Sequence, residues 1–399
     1  MVKDKMTHYM ALLFAAACGM AVANIYFAQP LLDSLAAEFD ITYSSIGIVI
    51  MITQLCYAAG LLLIVPLGDL LNRRRLIIGQ MLLSVLALIL VGIAPIVTVL
   101  FIGLALVGLL AVVTQVLVAF AASWAAPEER GRIVGLVQSG IVIGILLART
   151  FAGVLTDFAG WRSVYLVSAV IMLILTGVLF RVLPRDDSKR ESLSYAHLLR
   201  SMFVLFIQER ILRIRGILAL LIFIVFGTLW TSLVLPLSNA PHSLSHTAIG
   251  AFGLAGVAGA LGAARAGSLA DRGFGQFTSG IALVLLFISW FFISLTEHSL
   301  IALVIGIIIL DLSVQAVHVT NQTMFFTVRP EARSRLTAAY MIFYSIGSAT
   351  GSIVSTSIYA AYGWSGVCLF GASISALAIL YWTITYRLTK QITLVSETK

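Results

Sequence analysis

The sequence predicts an all-α integral membrane protein with twelve transmembrane helices in two pseudo-symmetric bundles of six. Composition, the count of long apolar runs and an internal duplication carry that prediction. Hydrophobic residues make up 60% of the chain and charged residues only 11%. With a mean hydropathy of +1.06, the chain is more apolar than a water-soluble domain of its length. Crossing about 30 Å of hydrocarbon takes roughly 20 mostly apolar residues as a helix, which satisfies its own backbone where no water can. The duplication is local and ordered. Pro127-Glu128-Glu129-Arg130-Gly131-Arg132, followed by Gly160-Trp161-Arg162, returns as Pro330-Glu331-Ala332-Arg333-Ser334-Arg335, followed by Gly363-Trp364-Ser365. Both pairs are offset by 203 residues, 127 to 330 and 160 to 363, and Ile46-Gly47 with Ile249-Gly250 keeps the same offset. The chain therefore reads as a tandem of two similar halves.

In the first half, apolar runs lie near 8–31, 44–66, 76–94, 97–121, 133–156 and 164–182. Charged or Gly- and Pro-bearing breaks separate them. The first run leads into Asn24 to Pro30 without a small-residue cleavage pattern, so it is a retained span and not a cleaved signal. The second half supplies runs near 215–236, 247–269, 278–296, 299–325, 336–358 and 365–386. Outer-membrane strands would need short segments of alternating polarity, which a run such as Leu82 to Val91 lacks. Residues 1–182 and 214–399 are thus the two bundles, joined by a charged linker over 183–213. The stretch from His197 to Arg215 mixes apolar and basic residues. It suits a helix lying along the membrane surface, or a solvated connector.

Lysine and arginine collect on the cytoplasmic side of a bilayer. Placing both termini inside puts all of the 25 basic residues on that side except Arg149 and Arg162. The net charge of +8 then reflects topology, not nucleic-acid binding. The expected location is the cytoplasmic (inner) membrane of a bacterium. Cys18, Cys56 and Cys368 lie in apolar runs at spacings that imply no disulfide framework and no metal site.

The break after the second span reads Val65-Pro66-Leu67-Gly68-Asp69-Leu70-Leu71-Asn72-Arg73-Arg74-Arg75, and its counterpart runs Gly267-Ser268-Leu269-Ala270-Asp271-Arg272-Gly273. A carboxylate at a helix end beside several cations can form a charge-assisted latch between two helices. Asp69, Arg73, Arg74, Asp271 and Arg272, with Arg130 and Arg333, are the candidates. Positive-inside topology alone also accounts for the basic residues.

These motifs resemble the major facilitator superfamily, whose loop between spans two and three has the form Gly-x-Leu-Ala-Asp-Arg-x-Gly-Arg-Arg. The second copy matches at Gly267, Leu269, Ala270, Asp271 and Arg272, whereas the first keeps Asp69, Arg73 and Arg74 but has Val65, Leu70 and Asn72 at other positions of the pattern. Asn24-Ile25-Tyr26-Phe27-Ala28-Gln29-Pro30-Leu31, the two Pro-Glu-x-Arg motifs, Leu147-Ala148-Arg149-Thr150 and Asn321-Gln322 are similar to the superfamily's bacterial drug and sugar efflux transporters. The resemblance implies two six-helix bundles around a central cavity, access alternating between two faces, and efflux coupled to proton entry. One departure concerns span five. Superfamily antiporters usually carry a Gly-Pro pair there, and this chain has Ala148-Arg149 between Gly144 and Gly153. A hinge attributed to that pair does not transfer.

A charge inside the bilayer costs roughly 2.5–3.5 kcal/mol on insertion scales, so Arg149 and Asp311 need compensation. Arg149 stands 17 residues beyond Arg132, and Asp311 stands 18 residues before Arg329. At about 1.5 Å per residue both lie roughly 25–27 Å from the basic face, deep enough to compensate each other. Asp311, Gln315, His318 and Gln322 recur at spacings of 4, 3 and 4, which is one stripe of a helix. Lipid would leave that stripe unsatisfied, so it faces the transport pathway. Asn24, Gln54 and Gln115 lie at similar depths, lining the same path or bonding between helices. Proton coupling needs a group whose proton affinity changes as its surroundings alternate, and Asp311 beside Arg149 meets that need. His318 is the second candidate, and a static Arg149–Asp311 pair the structural alternative. Asp33, just past Pro30, reads as a solvated acid near the outer mouth. Tyr26, Phe27, Tyr57 and Trp230 suit an apolar or amphipathic cargo. Small residues on spans five and eight, among them Gly256 with Ala260 and Gly259 with Ala263, suit close, sliding contact.

The expected activity is secondary active transport of a small molecule, most simply proton-coupled efflux of drugs, sugars or related metabolites, with one chain as the working unit. Proton-symport import is the alternative, since one cavity serves both directions. An integral-membrane enzyme would need a constellation such as His-Glu-x-x-His or Gly-x-Ser-x-Gly, and the sequence has neither. No phosphate-cradling Gly-x-x-x-x-Gly-Lys-Ser/Thr loop is present. The expectation is therefore no cofactor, with the proton gradient as energy source.

Overall fold

The computed structural model describes residues 6–126, 129–184, 194–326 and 333–397. The first half comprises α1 (His8–Tyr26), α2 (Leu32–Phe39), α3 (Ile48–Leu63), α4 (Leu67–Leu70), α5 (Arg73–Gly92), α6 (Val97–Leu110), α7 (Val113–Trp124), α8 (Arg130–Ala159) and α9 (Trp161–Val182). Then come α10 (Tyr195–Gln208), α11 (Arg210–Ser232), α12 (Val234–Ser238), α13 (His246–Leu269), α14 (Gly275–Ser294), α15 (Leu300–Phe326) and α16 (Arg333–Glu397). The helices make twelve crossings in two bundles. The fourth uses α6 and α7, the seventh α11 and α12, and the last two are the parts of α16 on either side of a kink at Gly363. Lipid-facing side chains such as Leu86, Ile102, Ile174, Phe291 and Leu369 are apolar and exposed, as a hydrocarbon solvent requires.

Side-chain caps start several of these helices. Thr7 accepts the Met10 N–H before α1, and Asn72 accepts the Arg75 N–H at 3.0 Å before α5. A 3₁₀ turn over Gln29–Leu31 with Pro30 in its first turn links α1 to α2, because proline fixes φ without needing its missing N–H there. The first crossing therefore reaches Phe39, beyond the expected end at 31.

The duplicated Gly-Trp pairs do the same work in both halves. Gly160 and Gly363 adopt φ of 76° and 65° with extended ψ, a conformation open in practice only to glycine. Each is followed by a buried tryptophan. The Trp161 indole donates to Glu38 Oε2 at 2.5 Å, and that of Trp364 to the Ile293 carbonyl at 3.1 Å. Arg162 also pairs with Glu38 and donates to the Ala94 carbonyl at 2.7 Å, which accounts for a basic residue on the opposite face.

Each half repeats one helix crossing at backbone contact. A Cβ at Gly140 or Gly144 of α8 would collide with the Ala15 or Gly19 carbonyl of α1, and one at Gly347 or Gly351 of α16 with the Leu220 or Ile224 carbonyl of α11. Gly144 and Gly347 stand 203 residues apart, so the crossing is duplicated as well.

Two further helix pairs join the halves at the face opposite the basic one. Gly47 of α3 abuts the Ser352 carbonyl of α16, and Gly250 of α13 abuts the Arg149 carbonyl of α8. These contacts are pseudo-symmetry mates, since 250 follows 47 and 352 follows 149 by 203. Gly153 meets the His246 carbonyl, and Ser357 Oγ donates to the Ser44 carbonyl at 2.9 Å. The halves are shut against each other there.

The linker is helical in part. Its helix is α10, and the Phe206 ring lies 5.6 Å from that of Phe343. The Tyr195 hydroxyl donates to the Leu63 carbonyl at 2.8 Å, tying the linker to the first half. Arg215, grouped with the basic cytoplasmic cluster by sequence, sits inside α11 at 1% exposure. Arg210 and Arg213 of the same helix stay exposed, while Arg215 lies where α11 is buried on nearly every face.

Candidate functional site

Arg149 is 2% exposed and Asp311 is 3% exposed, and they come from α8 in one half and α15 in the other. They do not touch. The Trp230 indole of α11 lies between them, with the guanidinium 3.7 Å from the ring centroid and Nε1–H donating to Asp311 Oδ1 at 3.0 Å. The ion pair expected from depth alone is thus a three-part stack of cation, aromatic face and carboxylate. The rings of Tyr26 and Phe226 each lie 5.6 Å from the guanidinium. Arg149 Nε–H donates to Gln29 Oε1 at 2.8 Å, while its Nη2 has no hydrogen-bond partner.

Glycines make the room for this stack. Gly250, Gly253 and Gly256 of α13 face it. A Cβ at Gly253 would press on the Arg149 side chain, and one at Gly256 would strike Asp311 Oδ2. At Gly256 the small residue expected to serve sliding contact serves a carboxylate. The side chains at 259, 260, 263 and 264 lie outside the described residues.

Towards the basic face the α15 stripe continues from Asp311. Gln315, His318 and Gln322 are half-buried. His318 Nδ1 is 3.0 Å from the Tyr340 hydroxyl, and its Nε2 is 3.2 Å from the Gln322 amide nitrogen. The Phe223 ring stands 5.3 Å from the imidazole and 4.0 Å from the Tyr344 ring. The Tyr344 hydroxyl in turn bonds that of Tyr26, so α16 and α1 meet through two phenols in the seam. Asn321 donates to the Tyr340 hydroxyl at 3.3 Å and accepts from Arg215 at 3.3 Å. Asn24 and Gln54 are buried, Gln54 beside Tyr26, and Gln115 lies beside Tyr57. The structure thus gathers Asp311, Arg149, His318, Gln315 and Gln322 at one seam, with Asn24, Gln54 and Gln115 on the first-half side.

Of the expected latch residues, the side chains of Arg73, Arg74 and Arg272 are among the described residues. Arg73 Nε–H donates to the Gly68 carbonyl at 2.9 Å and Nη1 to Ser123 at 3.2 Å; Arg74 donates to the Phe180 carbonyl at 2.6 Å. Those bonds stay inside the first bundle. Arg272 is exposed. The side chains of Asp69, Asp271, Arg130 and Arg333 lie outside the described residues.

Sequence reasoning passed over a second cluster, at the face opposite the basic one. Asp33, expected as a solvated acid, approaches His246 Nε2 at 3.2 Å, and Ser34 Oγ lies 3.0 Å from the same nitrogen. His246 Nδ1 is 3.0 Å from Asp157 Oδ1. The Asp157 carboxylate also accepts the backbone N–H groups of His246 at 3.1 Å and Thr247 at 2.7 Å. An acid of the first half therefore caps the first turn of α13 in the second, where the helix dipole favours negative charge. Asp33 and Asp157 each end an apolar run and His246 begins one. Composition alone reads all three as loop residues.

Two bundles crossing the bilayer, with charged side chains from both buried along their seam, define a transporter that passes a solute between its halves. The family model of the Major Facilitator Superfamily matches residues 11–329, and the chain belongs to that superfamily. It is 46% identical over 370 residues to the uncharacterized transporter YgaY of Escherichia coli O157:H7, covering 93% of this chain and 94% of that one. The inner membrane transport protein YnfM of Escherichia coli K12 is 26% identical, over 94% of this chain and 89% of its own. Among solved structures, an inward-facing, unoccupied bacterial homolog of the human lysosomal transporter Spinster superposes with a TM-score of 0.71 at 13% identity. That match covers 98% of this chain and 97% of the other.

Proposed function

We propose that this secondary transporter exports small amphipathic molecules, drugs, sugars or related metabolites in exchange for protons, with Asp311 as the coupling site. The observation that carries the reading is the Arg149–Trp230–Asp311 stack. It holds one acid that can take a proton and one fixed cation, buried where the two halves meet and contributed by both. Opening the seam on either side changes the solvation of Asp311 and so its proton affinity. Cargo carrying a positive charge or a strong donor competes with the proton for the same carboxylate, which is the condition for antiport. Tyr26, Phe226 and Trp230 supply apolar faces for the body of such a cargo.

The closed face is the outer one in this reading, because the basic residues mark the cytoplasmic side. Both termini are then cytoplasmic, and similarity to the inner membrane transport protein YnfM supports a place in the inner membrane. The chain works as a monomer, without a cofactor. Asp69, Arg73, Arg74, Asp271, Arg272, Arg130 and Arg333 fasten the cytoplasmic side when access switches. A second reading, proton symport, is favoured by the unpartnered Arg149 Nη2. An anionic cargo would take that donor only once Asp311 is neutral, so proton and cargo would load together.

Proteoliposomes with an imposed pH gradient, tested against a panel of drugs and sugars, decide between these readings. Antiport predicts substrate movement opposite to the proton gradient. Movement in the same direction establishes symport, and flux indifferent to the gradient overturns proton coupling.

A further inference from the structure

The bond between Asp33, His246 and Asp157 is the one place among the described residues where a titratable ring of one half is held by acids of the other. Its two carboxylates lie on opposite nitrogens of the imidazole. That geometry rules out chelation of one metal ion by the three groups, and it distinguishes the ring's protonation states. An imidazolium donates to both carboxylates at once. A neutral ring donates to one and turns a lone pair towards the other, even when Ser34 donates to that nitrogen. We propose that His246 with Asp33 and Asp157 is a second protonation site, separate from Asp311, whose bound proton fastens the outer face shut.

The surroundings leave the ring to these two acids. Asp33 comes from α2 and Asp157 from α8. The other acid of α2, Glu38, is engaged by Arg162 and Trp161, and Asp40 closes that helix at its far end; Arg149 of α8 points inward to Trp230. His242, from the segment before α13, lies 2.9 Å from the Thr296 carbonyl. The hydrogen bond to Asp33, with the charges of Asp33 and Asp157, outweighs burial and holds the imidazole above the ordinary histidine range. His246 is the first residue of its helix, at the membrane boundary.

The sign follows from linkage. A group that binds its proton more tightly in the closed form favours closure fully below the ordinary histidine value of about 6.5. That contribution is lost as pH rises through the raised value. Opening parts His246 from both acids, so the proton returns to the side it came from and is not carried across. The site therefore tunes access without entering the transport stoichiometry. The pseudo-symmetric seam has nothing of the kind, since Ser357 and Ser44 form a neutral bond there. Which compartment's pH is read rests on the orientation proposed above.

The test needs neither substrate nor gradient, and the labelled protein carries Asp311→Asn so that protonation of the coupling site does not contribute to the profile. Spin labels on cysteines at Ile96 and His298, exposed on the two halves at this face, report the closed fraction by inter-label distance at matched pH on both sides. Cys18, Cys56 and Cys368 are replaced by serine beforehand. The labelled protein is expected to close as pH falls, its open-to-closed ratio changing by up to about tenfold per pH unit for one linked proton. His246→Gln should flatten this profile, and His246→Lys, charged at every pH tested, should stay closed throughout. Asp33→Asn with Asp157→Asn provides the same test through the acceptors and should also flatten it. A pH-independent starting profile, or one that survives His246→Gln or the double acid variant, overturns the proposal.

Discussion

Replacing Trp230 separates the two contributions of its side chain to the buried stack. Trp230→Phe keeps an aromatic face against Arg149 but removes the Nε1–H that donates to Asp311 at 3.0 Å. Trp230→Leu removes both. A hydrogen bond to a charged group contributes about 1.5–3 kcal/mol, and among the described residues Asp311 accepts from no other side chain. At about 1.4 kcal/mol per tenfold, the assembled arrangement becomes roughly ten- to a hundredfold rarer in Trp230→Phe. A desolvated cation–π contact adds about 2 kcal/mol or more, so Trp230→Leu should fall a further twentyfold or more. The assay is the initial rate of gradient-driven flux in proteoliposomes, normalised to incorporated protein, with thermal unfolding in detergent as the folding control. The expected order is wild type, then Trp230→Phe, then Trp230→Leu. Equal rates for all three, at equal unfolding temperature, would refute the view that the indole joins the charges.

Asp311→Asn and Arg149→Ala should each abolish gradient-driven flux in the same assay, and intact coupled transport in both would remove the pair from the mechanism. Gly47→Val and Gly250→Val, whose side chains would enter the backbone of the opposite half, should hold the closed face apart and lengthen a spin-label distance across it. Gly160→Ala and Gly363→Ala should each cost about 1–3 kcal/mol, because both positions need a glycine-only conformation. Unfolding midpoints should fall together, and an unchanged midpoint at either would count against the duplicated turn.

Much of this architecture is legible in the sequence, because a bilayer imposes a coarse rule. Every crossing must be long and apolar, and every basic residue prefers one side. The α15 stripe was legible for a related reason, since Asp311, Gln315, His318 and Gln322 share one helix and helical periodicity alone aligns them. Trp230 was visible as an aromatic residue but not as a bridge, because its partners belong to α8 and α15 and no periodicity connects three helices. Asp33, Asp157 and His246 were hidden more deeply. Each sits at the edge of an apolar run, where hydropathy expects a polar residue, and their meaning arises only when α2, α8 and α13 converge. Arg215 misled for the opposite reason. Its neighbours Arg210 and Arg213 suggested a solvated cluster, whereas one further turn of α11 carries it between Asn321 and Tyr340.

The duplication also indicates where the chemistry must lie. Residues that keep their identity across the 203-residue offset build scaffold: Gly160 with Gly363, Trp161 with Trp364, Gly144 with Gly347, Gly47 with Gly250. Gly103 and Gly306 belong to the same set, each seated against a helix of its own bundle. The charged residues of the seam have no charged mate. Arg149 corresponds to Ser352, Asp311 to Gly108, Asp157 to Ala360 and His246 to Tyr43. Gly108 lies hard against the Thr53 carbonyl, so its helix is packed where the mate's carboxylate has room. Two identical halves rocking about a seam would offer the same solvation to both sides and could not bind a proton differently in the two states. By placing the cation in one half and the acid and indole in the other, the chain makes the charge stack depend on how the halves sit. In the proposed exchange, rearrangement of the scaffold would thereby change the proton affinity of Asp311.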